Sequence, residues 1–202
     1  MNIQGKSIYL IGDSQLEGLG PRIKPMLLAA GASHVECMAR RGWATRDYLR
    51  SGRLDNLPPA DIYIVELGGN DAAKGLVGDA LEDRVREIVR KLPAREAIFW
   101  VGPSETLRSD LQTPAGPTSR PEAALRIARA LPANVTFIPG ERLIETSYLR
   151  DGLHYTATGY TRFAENLKNE IVRTVAGTGW TPWIVGASLI SAVAIGVYFG
   201  RR

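Results

Sequence analysis

A chain of 202 residues is long enough to bury a sizeable core in one domain, and its 45% hydrophobic and 23% charged content excludes wholesale disorder. The formal net charge is only +4, and no basic run interleaves with aromatic residues, which excludes a nucleic-acid-binding footprint. Cys37 is the only cysteine, so neither an internal disulfide nor a cysteine metal cluster can form within the chain.

No secretory leader is expected at the N-terminus, where the apolar run from Ile8 to Ile11 is too short for one. Ser7–Ile11 reads instead as a first strand that runs straight into Gly12-Asp13-Ser14. Gly12 lets the backbone turn sharply, and helical periodicity follows over Leu16–Ala30. A serine at such a helix start lies near unpaired N–H groups and the positive end of the helix dipole. His34–Met38 is the second expected strand, with Cys37 as a small buried hydrophobe and His34 as a structural residue. Arg41-Gly42-Trp43 follows it. The third strand, Ile62–Leu67, ends in Gly68-Gly69-Asn70-Asp71, and a helix is expected over Ala80–Leu92.

Ala97–Val101 reads as the fourth strand. Residues 102–120 contain three prolines and read as a long loop, either functional or mobile, placed to line a cleft. A helix over Glu122–Leu131, a fifth strand at Val135–Ile138 and a last helix over Thr158–Ala176 complete the pattern. Near-continuous apolar strands alternating with helices predict an α/β fold, a three-layer α/β/α arrangement with a five-stranded parallel sheet. Such sheets bind ligands beyond the carboxyl ends of their strands. Ser14, Asn70 and the Asp151-Gly152-Leu153-His154 segment follow the first, third and fifth strands, so all three are expected on one rim.

Each motif alone has an ordinary reading: a helix cap for Gly-Asp-Ser, a turn for Gly-Gly-Asn-Asp, a surface turn for Asp-x-x-His. Their convergence carries the chemistry. An aspartate three residues before a histidine can aim its carboxylate at the imidazole Nδ1, leaving Nε2 to take a proton from a serine. His154 is one of two histidines and the better placed as a base. Asn70 can present an amide donor, and a backbone N–H near Gly42 can add another.

With Gly12-Asp13-Ser14, Gly42, Gly68-Gly69-Asn70-Asp71, Asp151-x-x-His154 and the following Gly159-Tyr160 in this order, the chain resembles an SGNH hydrolase of the wider GDSL esterase/lipase group. The resemblance covers roughly residues 6–175. It implies Ser14 as nucleophile, His154 as base and Asp151 as its orienting carboxylate. It also implies an oxyanion hole from Ser14, Gly42 and Asn70, with no metal and no cofactor. Gln15 departs from the leucine that many members carry after the serine. The absence of G-x-S-x-G separates the chain from α/β-hydrolases, which share the Ser…Asp…His order.

The implied activity is carboxylic ester hydrolysis. The leading expectation is a small-acyl (acetyl) esterase on O-acetylated glycan or envelope substrates, and the alternative is a lysophospholipase or short-chain lipase. A membrane-tethered binding protein on a retired hydrolase fold is a third reading, set against the presence of Ser14, Asn70, Asp151 and His154. The catalytic domain is expected over residues 1–176, followed by a hinge at 177–181. From Trp180 to Gly200 the chain carries no charge, enough for a helix of about 31 Å. Trp180, Trp183, Tyr198 and Phe199 sit at its edges, with Arg201 and Arg202 beyond, so residues 182–200 are expected to cross a lipid bilayer once. Ser188, Ala192, Gly196 and Gly200 form a small-residue stripe that suits helix–helix self-association. Arg162, Lys168 and Arg173 on one side nearly balance Arg201 and Arg202 on the other, which leaves sidedness open; a tail-anchored arrangement is favoured.

Overall fold

A computed structural model describes residues 2–177. Its five strands are β1 (Ser7–Gly12), β2 (His34–Ala39), β3 (Ala60–Glu66), β4 (Ala94–Val101) and β5 (Val135–Ile138). All pair in parallel, in the order β2-β1-β3-β4-β5. The α/β class and the five-stranded parallel sheet are therefore as expected, with no strand end displaced by more than three residues and β5 unshifted.

Period-two alternation sends neighbouring side chains to opposite faces. Ile62 and Ile64 of β3 and Phe99 and Val101 of β4 join Ile8 and Leu10 on one face, against helices α1 (Ser14–Ala29) and α6 (Ala157–Val175). Tyr63, Val65, Ile98 and Trp100 face the other way. There they meet α4 (Asp79–Lys91) and α5 (Arg120–Ala130), with the short helix α2 (Thr45–Arg50) beside them. The chain steps from β1 to β2 on one side and to β3 on the other, so the connections diverge between β1 and β3. Gly12 and Glu66 end those strands as register partners. A crevice at this switch point is where such sheets take ligands.

Three elements differ from expectation. Helix α1 begins at Ser14 rather than Leu16 because Asp13 caps it, accepting a hydrogen bond from Gln15 N at 2.8 Å. Helices α2 and α3 (Gly69–Ala73) stand where only connections were expected. Within residues 102–120 there is one turn of 3-10 helix at Ser109–Leu111, and Ser104, Thr106, Leu111 and Ser119 are buried. His34 starts β2, in the strand expected, at the end of the sheet away from Ser14; its side chain is exposed with Nε2 3.9 Å from Glu36. Cys37 is half-buried beside the α1 face, and burial pushes its thiol up to about 11.

The uncharged segment 182–200, its stripe of Ser188, Ala192, Gly196 and Gly200, and the hinge beyond Gly177 lie outside the described residues. Among the described residues no helix is long and apolar enough to cross a membrane.

Candidate active site

Ser14 is the first residue of α1, directly beyond the β1 terminus at Gly12. Helix geometry leaves its N–H without an intrahelical acceptor. Space at this turn is tight: a Cβ on Gly12 would lie 2.7 Å from Leu16 Cβ and 2.9 Å from the Glu66 carbonyl oxygen. Across the rim, Ser14 Oγ lies 3.0 Å from His154 Nε2. His154 Nδ1 in turn lies 3.0 Å from Asp151 Oδ2. The structure thus brings together three side chains from opposite ends of the sequence in the order hydroxyl, imidazole, carboxylate.

The Asp151–His154 turn builds its own geometry. Asp151 Oδ1 accepts the backbone N–H of Leu153 at 3.0 Å and of His154 at 2.6 Å. Gly152 takes φ +80°, a conformation that favours glycine. The His154 N–H, together with the imidazole and the Leu153 N–H, holds the Asp151 carboxyl well below the usual carboxylate range. Asp151 therefore stays ionised and is fixed as the acceptor for Nδ1–H, which assigns Nε2 to the serine.

Two outside ties place this exposed turn. The Gly152 carbonyl accepts from Thr106 Oγ1 at 2.6 Å and from Leu107 N at 2.9 Å, both on the loop after β4. The Leu153 carbonyl accepts from Gln15 Nε2 at 2.7 Å. Gln15 Oε1 accepts the Tyr160 hydroxyl at 2.9 Å, so Gly159-Tyr160 of α6 enters the site through this buried amide.

Asn70 stands in α3, just beyond the end of β3. Its Nδ2 donates to Asp13 Oδ2 at 2.7 Å and to the Trp43 carbonyl at 3.2 Å. Gly42 has φ +73° in a turn closed by Trp43 N–H on the Arg40 carbonyl. That turn is stitched to β1 by Arg40 N–H on the Gly12 carbonyl at 2.9 Å, and Tyr48 Oη donates to the same carbonyl at 2.6 Å. Asn70 and the Gly42 turn are therefore joined to each other and to the β1 terminus that presents Ser14.

Beneath them lies a buried charged group that sequence reasoning missed. Asp13 and Glu66 are 2% and 3% exposed, and Arg120 is 6% exposed. Burial, and then the Asp13 charge beside it, drive the Glu66 carboxyl well upward. Burial raises Asp13 as well, opposed by the Gln15 N–H and by Arg120. Arg120 Nη1 donates to the Ser104 carbonyl at 2.7 Å. The sequence did carry one signal, a glutamate at the end of the apolar run Ile62–Val65; Arg120 gave none. Among the described residues no cluster of His, Cys, Asp and Glu is gathered for a metal.

Residues 10–162 match the GDSL-like Lipase/Acylhydrolase family. The fold is similar to that of an acetylxylan esterase from Geobacillus stearothermophilus in a catalytic-mutant form (TM-score 0.68, 18% identity, 85% of this chain and 96% of that one). It is also similar to a salicylyl-acyltransferase from a tetracycline biosynthetic pathway (TM-score 0.64, 17% identity, 86% and 55%). The C-terminal catalytic domain of peptidoglycan O-acetyltransferase A from Streptococcus pneumoniae is a third (TM-score 0.59, 18% identity, 88% and 96%). At these identities the likeness is one of fold. No curated protein matches the chain.

Proposed function

The chain belongs to the GDSL-like Lipase/Acylhydrolase family and is a serine carboxylic ester hydrolase, and from that premise we propose that Ser14, His154 and Asp151 perform the hydrolysis on small acyl esters, acetyl above all. The observation that carries this reading is the unbroken relay from Ser14 Oγ to His154 Nε2 and from Nδ1 to Asp151, each step 3.0 Å. Ser14 Oγ attacks the ester carbonyl while Nε2 takes its proton. The Ser14 and Gly42 N–H groups and the Asn70 amide receive the oxyanion. The imidazolium protonates the departing alcohol. Water, deprotonated by the same Nε2, then attacks the acyl-serine and releases the carboxylic acid.

An acetylated glycan is the favoured substrate class. Two proteins of similar fold are described as an acetylxylan esterase and a peptidoglycan O-acetyltransferase, which supports acetyl groups on sugars. Residues 182–200 supply the second part of the proposal, a single membrane crossing that holds the enzyme at a lipid surface. That location equally suits a lysophospholipid or short-chain lipid ester, the second reading.

Ser14→Ala should reduce p-nitrophenyl acetate turnover to the residual level left by the oxyanion donors, a loss of about 10⁴-fold or more, with the thermal transition retained. Turnover near wild type in that variant would sink the assignment. Acetate released from O-acetylated oligosaccharide, set against fatty acid released from lysophospholipid, decides between the two substrate classes.

A further inference from the structure

Hydrogen bonds inside the Asp151–His154 turn shape it but cannot place it against Ser14. Leu153 N–H and His154 N–H bond within the turn to Asp151, and Arg150 N–H bonds to the His154 carbonyl at 2.8 Å. Packing anchors the far end at Tyr155, buried against Tyr160 and Phe163, but across the turn itself Asp151 is exposed and Gly152, Leu153 and His154 are only partly covered. Within that stretch, the backbone is tied outward at two points. The Thr106 and Leu107 tie on the Gly152 carbonyl comes from the loop after β4, an element that carries neither Ser14 nor His154. Gln15 Nε2 on the Leu153 carbonyl, at 2.7 Å, comes from the residue next to the nucleophile.

The amide of Gln15 is itself held. The Leu153 carbonyl can only accept, so Nε2 is the end facing it, and Oε1 accepts the Tyr160 hydroxyl at 2.9 Å. Tyr160 has little freedom: a Cβ on Gly18 would meet its Cζ at 2.3 Å, and Arg22 lies over its ring at 5.7 Å. The Gln15 backbone N–H is bound to Asp13. One dipeptide therefore carries both the attacking hydroxyl and a strut to the residue preceding the base.

We propose that Gln15 is a positioning residue for the hydrolysis: its buried amide, oriented by Tyr160, holds the Leu153 carbonyl and so keeps His154 Nε2 at bonding distance from Ser14. The proposal rests on Ser14 and His154 being the reacting pair. It assigns a task to the position where the resembled family commonly has leucine, a side chain that can neither donate to Leu153 nor accept from Tyr160.

The test uses the full chain with Gln15→Leu, Gln15→Met (similar in length, without polar ends), Tyr160→Phe and the double variant Gln15→Leu/Tyr160→Phe. Three quantities are measured: kcat and KM for p-nitrophenyl acetate, the rate of Ser14 labelling by a fluorophosphonate, and the thermal transition. Both Gln15 variants should lose about tenfold to a hundredfold in kcat and in labelling rate, with KM within twofold. Tyr160→Phe keeps the Nε2 donor and should lose less, and adding it to Gln15→Leu should cost little more. A Gln15 variant that folds and keeps kcat and labelling within twofold of wild type overturns the proposal. If neither Gln15 variant folds, Tyr160→Phe decides: full kcat and labelling overturn it, and a several-fold loss in both at unchanged KM supports it. Absence of labelling in the wild type would instead remove the Ser14 assignment itself.

Discussion

Both hydrogens of the Asn70 amide have acceptors in the resting site, Asp13 Oδ2 at 2.7 Å and the Trp43 carbonyl at 3.2 Å. The short bond to Asp13 is the stronger and fixes the amide plane. In the proposed mechanism, the long one is the hydrogen that turns to an oxyanion when charge develops on the substrate. Such a donor contributes to the transition state rather than to the bound ester, so Asn70→Ala should lower kcat by about 10²–10³ with a much smaller change in KM. Steady-state kinetics on p-nitrophenyl acetate check this, and a kcat loss below threefold would remove Asn70 from the oxyanion hole. Asn70 was readable in advance because Gly-Gly-Asn-Asp sits at a strand terminus. Gln15 was readable only as a departure from a resembled motif. Its partners Leu153 and Tyr160 lie 138 and 145 positions away, and no local pattern reports a hydrogen bond across that separation.

At the scale of elements, helix α1 holds by packing rather than by propensity. It contains Pro21 and Pro25, and Gly18 and Gly20 as well. Replacing Gly18 with alanine gains about 1 kcal/mol of intrinsic helix preference. The added Cβ, however, would sit 2.3 Å from Tyr160 Cζ, and overpacking of that kind costs about 1–3 kcal/mol. Crowding wins, because Tyr160 is wedged between Gly18 and the Tyr155 ring, 5.6 Å away. Gly18→Ala should therefore lower Tm by a few degrees and lower kcat as Tyr160 is pushed off Gln15; calorimetry showing an equal or higher Tm would refute this. Strands β1, β3 and β4 were legible because their apolar runs are buried on both faces, while the edge strands β2 and β5 are only partly covered. Helix α2 was not, since its cap position is Ala44 and the Asp47 carboxylate reaches back to the Ala44 N–H instead. Helix α3 spans only Gly69–Ala73, too short to show a period.

For the molecule as a whole, the proposed membrane crossing is a property of residues 182–200 and separable from the chemistry. The full chain should float with phosphatidylcholine vesicles in high salt, whereas a chain ending at Gly177 should stay in the dense fraction; a full chain that also stays there refutes the crossing. Convergence of three motifs on one rim was legible because a parallel sheet sends every strand terminus the same way. The buried Asp13–Glu66–Arg120 group beneath that rim was not, because burial of a charge is decided by the assembled layers. The bond between Ser14 and His154 joins residues 140 positions apart, one at the first strand and the other just ahead of the last helix. If these two are the reacting pair, as proposed, a growing or refolding chain has no esterase until the His154 turn reaches Ser14. Turnover then reports the meeting of the two ends of the chain, and on this assignment any truncation upstream of His154 should leave a hydrolase that is silent however much of its sheet has formed.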